Sequence, residues 1–267
     1  MIYWIWLLGL SLGFIAAERL WPRRTSQRLL RRGIYTDLAY VACNGHFLGL
    51  LLAVLSKPLE SGWTAGLAKV GVRLDLHIAK TWPWAAQLLF AFVAIDLAQW
   101  GIHNLMHRVP WFWEFHKVHH SIEELDWLGS MRFHWVEVVI YKSLQYPLLA
   151  LSGFDYRALF IIAVVSTLIG HYNHSNVRLD LGALKYLCNG PEMHEWHHTH
   201  PDAGPENRNF AINLSLWDWI FGTAYLPIEG KRSPRRLGFR DMERFPRAML
   251  LQELWPLTRK PRNRQNH

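Results

Sequence analysis

The sequence predicts an all-α integral membrane protein, a helical bundle of about four or five transmembrane helices with a helical cap on the cytoplasmic side. Three features predict this class. Long apolar runs alternate with polar links, tryptophans gather at the ends of those runs, and histidines recur at the spacing of a helix turn.

Five apolar runs supply the predicted spans. The first is close to the length that crosses the hydrocarbon core of a bilayer, and the others reach it when their amphipathic flanks are included. Tryptophans such as Trp21, Trp82 and Trp111 flank the runs, as in the aromatic belt of a membrane interface. The runs occupy residues 2–17, 38–55, 84–97, 136–151 and 159–170.

The first run is expected to stay in the protein as a transmembrane helix. A signal peptide would have a basic segment before the apolar run and a small-residue cleavage site after it. Here no basic segment precedes the run, and Glu18-Arg19 and Trp21-Pro22 follow it.

Basic residues predict the orientation of the bundle. The short link between the first two runs should be cytoplasmic, because lysine and arginine concentrate on that side of a membrane. Counting spans from an external N-terminus places the histidine clusters and the basic C-terminal tail on the same side. The arginines of the link are Arg19, Arg23, Arg24, Arg28, Arg31 and Arg32.

The formal net charge of +8 does not predict nucleic-acid binding. The basic residues lie beside the predicted spans or in the tail, so anionic lipid headgroups are the simpler partner. The two cysteines, Cys43 and Cys188, lack the spacing of metal ligands and suggest no disulfide framework.

Histidine clusters are the strongest functional signal. Twelve of the 15 histidines fall between positions 103 and 200. Spacings of three and four residues place the members of a cluster on one helix face. Imidazole binds iron, zinc or copper at neutral pH, and nine or ten such ligands are enough for about two ions. The clusters are His103 and His107; His116, His119 and His120; His171 and His174; and His194, His197 and His198.

A lone histidine is usually a packed or solvated residue, and this interpretation suits His46, His77 and His267. Core packing gives no reason to repeat imidazole three times at the same helical spacing. The sequence therefore predicts a dinuclear metal site carried by the cap.

Asp96 lies within the third apolar run, two helical turns before His103. A carboxylate inside a membrane span is costly and usually functional. We expect it to accept a hydrogen bond from the outer nitrogen of a ligand histidine, which would fix the direction of that ring. A hydrogen bond to another helix is the structural alternative.

Between Asp96 and Pro227, the chain resembles the fatty acid hydroxylase/sterol desaturase superfamily of membrane di-iron enzymes. Asp96 followed by His103-x-x-x-His107 resembles the first box of that family. Trp113-Glu-Phe-His-Lys-Val-His-His120-Ser121 resembles its WxxHxxHHS box, and Arg132-Phe-His134-Trp-Val-Glu137 its RxHPxE element. His174-Ser-Asn176, Pro191-Glu-Met-His-Glu-Trp-His-His198 and Trp217-Asp218-Trp-Ile-Phe-Gly-Thr223 are similar to the later motifs.

Some positions depart from the family pattern. Asn104 stands where arginine is usual, Trp135 replaces a proline, Glu195 stands where a basic residue is common, and Ala211 replaces a glycine. His171 is not a position that the family boxes require. These departures affect the expected substrate subtype more than the metal site.

The resemblance implies an enzyme that uses O2 and two external electrons to hydroxylate or desaturate a lipid of the sterol, fatty-acyl or ether-lipid type. It implies two iron ions, which zinc could replace, and no organic cofactor. Site residues besides the metal ligands would be Asp96, His134, Glu137 and Asn176. The expected metal ligands are His103, His107, His116, His119, His120, His171, His174, His194, His197 and His198.

The resemblance also suggests how the chain is divided. Residues 1–95 would form N-terminal transmembrane helices, and residues 96–227 a catalytic domain that includes a transmembrane hairpin. Residues 228–267 would form a basic cytoplasmic tail. A bacterial inner membrane is the expected location.

Two other classes of protein remain open. His194-Glu195-Trp-His197-His198 also reads as H-E-x-x-H, the motif of zinc proteases, in which Glu195 would be the general base. That interpretation leaves the first two clusters unexplained. Haem binding by two histidines would need single, opposed histidines on separate spans. Metal content separates the three classes.

The sequence contains no haem-binding redox domain, flavin motif or Rossmann glycine pattern. Electrons are therefore expected from a separate cytochrome b5-like or ferredoxin-like protein. Hydroxylation, desaturation and ether cleavage begin with the same hydrogen abstraction, so the sequence leaves them open.

Overall fold

The computed structural model describes residues 2–48, 61–62, 65–66, 68–69, 78–227 and 233–258. These residues form helices and connecting loops, and their β pairing is limited to two isolated bridges, Pro22 with Val177 and Thr199 with Leu237. The α-helices are α1 (Ile2–Leu20), α2 (Ile34–Tyr40), α3 (Trp84–Arg108), α4 (Pro110–His120), α5 (Trp135–Ser152), α6 (Tyr156–His174), α7 (Pro191–His197), α8 (Leu216–Ile220) and α9 (Met249–Thr258).

The five predicted runs fall on helices as far as they are described. They correspond to α1, to α2 with the π-helix Val41–Leu48 that follows it, and to α3, α5 and α6. The end of the second run lies outside the described residues. The prediction of an all-α fold is confirmed. Among the described residues, α3 is the helix long and apolar enough to cross a membrane.

Several helix ends converge at one end of the molecule. This region, formed by the end of α3 with α4 and α7, is called the cap. Val109 is extended and ends α3, and Pro110 begins α4 at a position where proline fits the first turn. Gly190 is likewise extended, and Pro191 begins α7. An extended residue thus ends one helical segment before the next begins, and the histidines of α3, α4 and α7 meet in one region.

The arginine-rich link between α1 and α2 packs directly on this cap. Glu18, at the end of α1, is buried and accepts hydrogen bonds from the backbone N–H groups of Trp127 (3.0 Å) and Asn176 (2.8 Å). Arg31 is buried between Asp126 and Asp37, and its Nη2 lies 2.7 Å from Asp37 Oδ2. The link and the histidine helices therefore lie on the same side of the molecule.

Part of the C-terminal region packs against the histidine helices. Phe239 and Phe245 are buried in a hydrophobic cluster with Trp113, Val118 and Tyr40. Gln252 of α9 is also buried, and its Nε2 donates to the carbonyl oxygen of Pro246 at 2.8 Å. The described residues 233–258 thus pack on α4, because their aromatic side chains cover apolar surface that the cap would otherwise expose.

Candidate metal centre

Nine of the predicted histidine ligands meet in two adjacent groups, and all nine side chains are buried. In each group, the nitrogen atoms offered as ligands lie within 4.8 Å of one another. Group A consists of His103, His107, His116, His120 and His197, and group B consists of His119, His174, His194 and His198.

The two groups cut across the sequence clusters. On α4, His116 and His120 lie four residues apart and belong to group A, whereas His119 belongs to group B. The end of α7 divides in the same way, because His197 joins group A and its neighbour His198 joins group B. Each of these triplets is therefore shared between two candidate ion positions, which lie side by side.

The spacing of the rings fits bound metal. In group A, the Nε2 atoms of His103 and His116 are 3.1 Å apart, and in group B those of His174 and His194 are 3.0 Å apart. Two nitrogens that each lie about 2.1 Å from one ion are separated by roughly 3.0–3.4 Å at octahedral or tetrahedral angles. Both groups therefore have the size of a coordination sphere.

The hydrogen bonds of the outer nitrogens support the same conclusion. His103 Nδ1 lies 2.7 Å from the carbonyl oxygen of Phe210, and His116 Nδ1 lies 2.8 Å from Glu137 Oε1. A carbonyl oxygen only accepts, so His103 Nδ1 must carry the proton, and an ionised Glu137 requires the same of His116 Nδ1, which leaves a lone pair on each Nε2. Two lone pairs facing each other at 3.1 Å repel unless a cation lies between them. The residues of the centre thus fit a metal ion.

Group A is held mainly from the loop that follows α7. His197 Nδ1 donates to the carbonyl oxygen of Arg208 at 2.8 Å, close to the Phe210 carbonyl that holds His103. His116 is held by Glu137, whose side chain is completely buried. Carbonyl and carboxylate partners of this kind fix ring direction and strengthen imidazole as a ligand.

Group B has fewer such partners. His119 Nδ1 donates to the carbonyl oxygen of Arg132 at 3.1 Å, and His174 Nδ1 donates to that of Gly170 at 2.9 Å. The Nδ1 atoms of His194 and His198 are buried and have no hydrogen-bond partner within the described structure. Two of the four rings of group B therefore have no hydrogen bond at their outer nitrogen within the described residues.

Burial keeps the imidazoles of the cap neutral. It lowers the pKa of His119, His120, His194, His197 and His198 well below the usual value, and the neighbouring histidines lower it further. A neutral imidazole has the lone pair that a metal ion requires. The neutral imidazoles can therefore bind a metal cation without first losing a proton.

Asp218 supports the loop that holds group A. It accepts hydrogen bonds from the backbone N–H groups of Phe210 (2.9 Å) and Ala211 (2.8 Å) and from Trp100 Nε1 (3.0 Å). Burial raises the pKa of this carboxyl, and the hydrogen bonds that it accepts oppose the rise. Its motif, Trp217-Asp218, was visible in the sequence. By contrast, no sequence signal marked the carbonyls of Arg208 and Phe210, because every residue has a backbone carbonyl and its direction depends on the fold.

The structure gives Asp96 a different role from the predicted one. Its carboxylate accepts four hydrogen bonds, all at 2.8–2.9 Å, from Asn213 N and Nδ2, Leu214 N and Trp217 Nε1. The predicted bond to a ligand histidine is therefore wrong, since Asp96 holds the loop before α8. Glu137 occupies the position beside a ligand ring that had been expected of Asp96.

Three other predicted site residues lie outside both groups. His171 Nδ1 is 2.7 Å from Ser130 Oγ, so its ring is directed towards α1 and the Trp127–Met131 turn. His134 caps α5, accepting from Val136 N, and its Nε2 contacts Glu253 of α9 at 3.2 Å. The Asn176 side chain pairs with the backbone of Arg24, at 2.8 and 3.0 Å.

Glu195 is turned away from the role of a general base. Its carboxylate forms ion pairs with Arg24 and with Arg23 (3.0 Å) and accepts a hydrogen bond from Ser233 Oγ at 2.8 Å. Both carboxylate oxygens are therefore engaged by side chains outside the two histidine groups. Although His194 and His198 share group B, they do so with His119 and His174.

A buried centre built from histidines on four converging helices is the arrangement of a histidine-box protein, with a ligand set that fits metal. The particular family follows from comparison with known sequences. The family model described as fatty acid hydroxylase matches residues 88–223, and the chain belongs to that family.

Curated relatives of the chain are lipid hydroxylases and monooxygenases. Ornithine lipid hydroxylase OlsE of Rhizobium tropici is 30% identical over 85% of this chain and 68% of its own length. Alkylglycerol monooxygenase of Homo sapiens is 28% identical over 53% of this chain and 30% of its own length. Methylsterol monooxygenase 1-3 of Arabidopsis thaliana is 25% identical over 58% of this chain and 53% of its own length. No solved structure matches the chain.

Proposed function

We propose that the protein is a membrane-bound, non-haem di-iron oxygenase that hydroxylates or desaturates a lipid with O2 and two external electrons. The observation that carries this proposal is the division of nine buried imidazoles into two adjacent groups, each with the nitrogen spacing of a metal coordination sphere. One ion would be held by group A and the other by group B. Zinc could occupy the same positions, because it also binds imidazole well.

A pair of iron ions, when bound, supplies the capacity to activate O2 with two electrons and to attack an unactivated C–H bond. The chain itself holds and orients the ligands. Carbonyls of residues 208–210 fix two rings of group A, Glu137 fixes a third, and the aromatic cluster around Trp113 and Phe239 covers the cap. Exclusion of water in this way protects a reactive centre from side reactions.

The relatives support a lipid substrate. Their names refer to an ornithine lipid, alkylglycerol and methylsterol, which share long apolar structures and differ in the polar group. The apolar helix α3 ends directly at His103 and His107 of group A. A lipid chain lying along that helix would come close to the centre without leaving the bilayer.

Location and partner complete the proposal. The protein would lie in a bacterial inner membrane, with the centre on the cytoplasmic side, where the arginine-rich link also packs. A cytochrome b5-like or ferredoxin-like protein would dock on that side and supply the electrons. The charge at the surface of the cap would contribute to this encounter.

Metal analysis and product analysis together test the proposal. Protein purified in mild detergent under reducing conditions should contain about two metal ions per chain, as expected for two complete ligand groups. When lipid extract, an electron carrier and isotopically labelled dioxygen are supplied, hydroxylation should add one labelled oxygen atom to a lipid. Desaturation would instead remove two hydrogen atoms. A single zinc ion with no lipid product would overturn the proposal.

The neighbouring histidines of α6 provide a matched pair of variants. His174→Ala should lose the ion of group B and all turnover, because His174 Nε2 contacts both His119 and His194. His171→Ala should retain both ions, because the His171 ring is held by Ser130 outside the groups. Loss of a metal ion from His171→Ala would contradict this ligand assignment.

A further inference from the structure

A cavity of about 610 Å³ lies beside α7, next to the centre but separate from its histidines. Gly190, Pro191 and Met193 form one side of it, immediately before the ligand His194. Tyr172 of α6 forms the adjacent side. None of the nine histidines of the two groups lines this cavity.

The walls of the cavity are fixed by hydrogen bonds. The backbone after α1 pairs with the backbone after α6, with Arg23 N donating to Asn176 O (2.7 Å) and Arg178 N to Trp21 O (2.8 Å). Tyr172 Oη donates to the carbonyl oxygen of Leu179 at 2.9 Å. A ligand would therefore enter a largely formed site and would lose little binding energy to reorganisation.

Basic side chains outnumber acidic ones along the lining. Arg23 and Arg24 share the single carboxylate of Glu195, and neither Arg178 nor Lys185 forms an ion pair within the described residues. The acidic residues of the lining are Asp180 and Glu192, and Asp180 already accepts a hydrogen bond from Gly182 N at 2.8 Å. The cavity thus has unneutralised positive charge for an anionic group.

The surroundings of the cavity are apolar and exposed. Leu20 and Trp21, at the end of the apolar helix α1, are 66% and 63% exposed, and Leu179 and Leu184 are 59% and 58% exposed. Exposed leucines and tryptophan beside basic residues are typical of a surface that enters the interface of a bilayer. These side chains continue the apolar surface of α1 to the cavity.

We propose that this cavity binds the anionic phosphate or carboxylate of a membrane-lipid headgroup. Arg178 and Lys185 contact the anion, while Leu179, Leu184 and Trp21 lie among the lipid chains. The inference rests on the membrane location in the proposed function, but it does not depend on the iron chemistry. The bound lipid would lie one helix turn from group B, a position suited to a substrate headgroup.

The test measures binding of phosphatidylglycerol with a fluorescent acyl chain to the full-length protein in detergent micelles, by fluorescence anisotropy. The Arg178→Gln/Lys185→Gln variant should bind about tenfold more weakly, since a single charge-assisted contact is worth roughly this factor. Arg240→Gln/Arg244→Gln is the control, because it removes the same charge from exposed residues outside the cavity. It should change binding by less than about twofold.

Equal weakening by both variants would show that only overall charge matters, and unchanged binding by Arg178→Gln/Lys185→Gln would remove the site. The parent protein gives an independent measurement. Diacylglycerol with the same fluorescent chain should bind much more weakly than phosphatidylglycerol, and equal binding would overturn the proposal. Competition by inorganic phosphate at low millimolar concentration would identify a free-phosphate site instead of a headgroup site. Two metal ions per chain together with failed lipid binding would overturn the cavity assignment alone.

Discussion

Group A and group B differ in what holds the far side of their rings. In group A, His116 has a buried carboxylate partner, and His103 and His197 have backbone carbonyls. In group B, His194 and His198 each have a buried Nδ1 with no hydrogen-bond partner in the described part of the chain. An imidazole whose outer N–H is unpaired is a weaker and less firmly oriented ligand.

Group A also has more candidate ligands than group B. Group A offers five imidazoles and group B offers four, so an ion held by group B would keep more coordination positions open. Metal sites with fewer protein ligands leave room for substrate or water. If each group holds one ion as proposed, the two ions would not be equivalent: the ion of group A would be held more tightly, and the ion of group B would exchange more readily.

The largest expected effect on turnover and metal content comes from two single variants on α4, one that replaces a histidine of group A and one that replaces a histidine of group B. His120→Ala and His119→Ala are neighbouring changes on α4 that affect group A and group B, respectively. Both variants should lose turnover and keep one of two ions. The ion left in His119→Ala, in group A, should survive dialysis against a chelator for longer than the ion left in His120→Ala. Equal rates of loss, measured by metal analysis, would show that the groups are equivalent.

Acid should lower the stability of the metal-free protein through the histidines of both groups. The folded state keeps the five buried rings of α4 and the α7 region neutral, whereas the unfolded chain protonates them near their usual pKa. The unfolded state therefore binds more protons at low pH. The free energy of unfolding of the metal-free protein should be fully present above about pH 6.5 and fall below it, by about 1.4 kcal/mol per pH unit for each ring.

Thermal unfolding of the chelator-treated protein between about pH 7.5 and pH 5.5 measures this dependence. With metal bound, group B should release its ion at a higher pH than group A, because protons compete more easily for the less firmly held rings. A melting temperature that rises on acidification would contradict the neutral state of the imidazoles.

Variants of two buried acidic residues, Glu137 and Asp96, distinguish an effect on metal affinity from an effect on the free energy of unfolding. Glu137→Gln keeps the shape of the side chain but replaces the carboxyl group that contacts His116 Nδ1, and should weaken metal binding by group A about 10–100-fold. Asp96→Asn disturbs four hydrogen bonds to residues 213–217 and should lower the free energy of unfolding by about 2–4 kcal/mol.

Chelator competition and thermal unfolding on both variants distinguish the two roles. Metal affinity should change mainly in Glu137→Gln, and stability mainly in Asp96→Asn. If Asp96→Asn loses metal as readily as Glu137→Gln while remaining folded, then Asp96 acts on the centre through the 208–213 loop.

The smallest expected effect is that of Glu195→Gln. This variant loses the charge that pairs with Arg23 and Arg24, so the melting temperature should fall slightly and turnover should fall by less than about tenfold, with both ions retained. Glu192→Gln, on the same helix, is the control for stability, because Glu192 forms no ion pair among the described residues. Complete loss of turnover in Glu195→Gln with full metal content would instead favour a zinc protease.

Much of this arrangement follows from local patterns. The apolar runs predicted α1, α3, α5 and α6, since a helix satisfies the backbone hydrogen bonds of a long apolar segment within the segment itself. Pro110 and Pro191 predicted the starts of α4 and α7, because proline suits the first turn of a helix. The histidine spacing predicted which helices would carry ligands.

The sequence by itself therefore determined the helical class, the family and the nine histidines that meet in the two groups, because helix periodicity and side-chain chemistry are local properties. Only the tertiary structure decided that His119 and His120 belong to different groups, that Glu137 rather than Asp96 supports a ligand, and that His171 faces Ser130. These outcomes depend on backbone carbonyls and helix ends from distant parts of the chain. Their directions are fixed only when the helices pack.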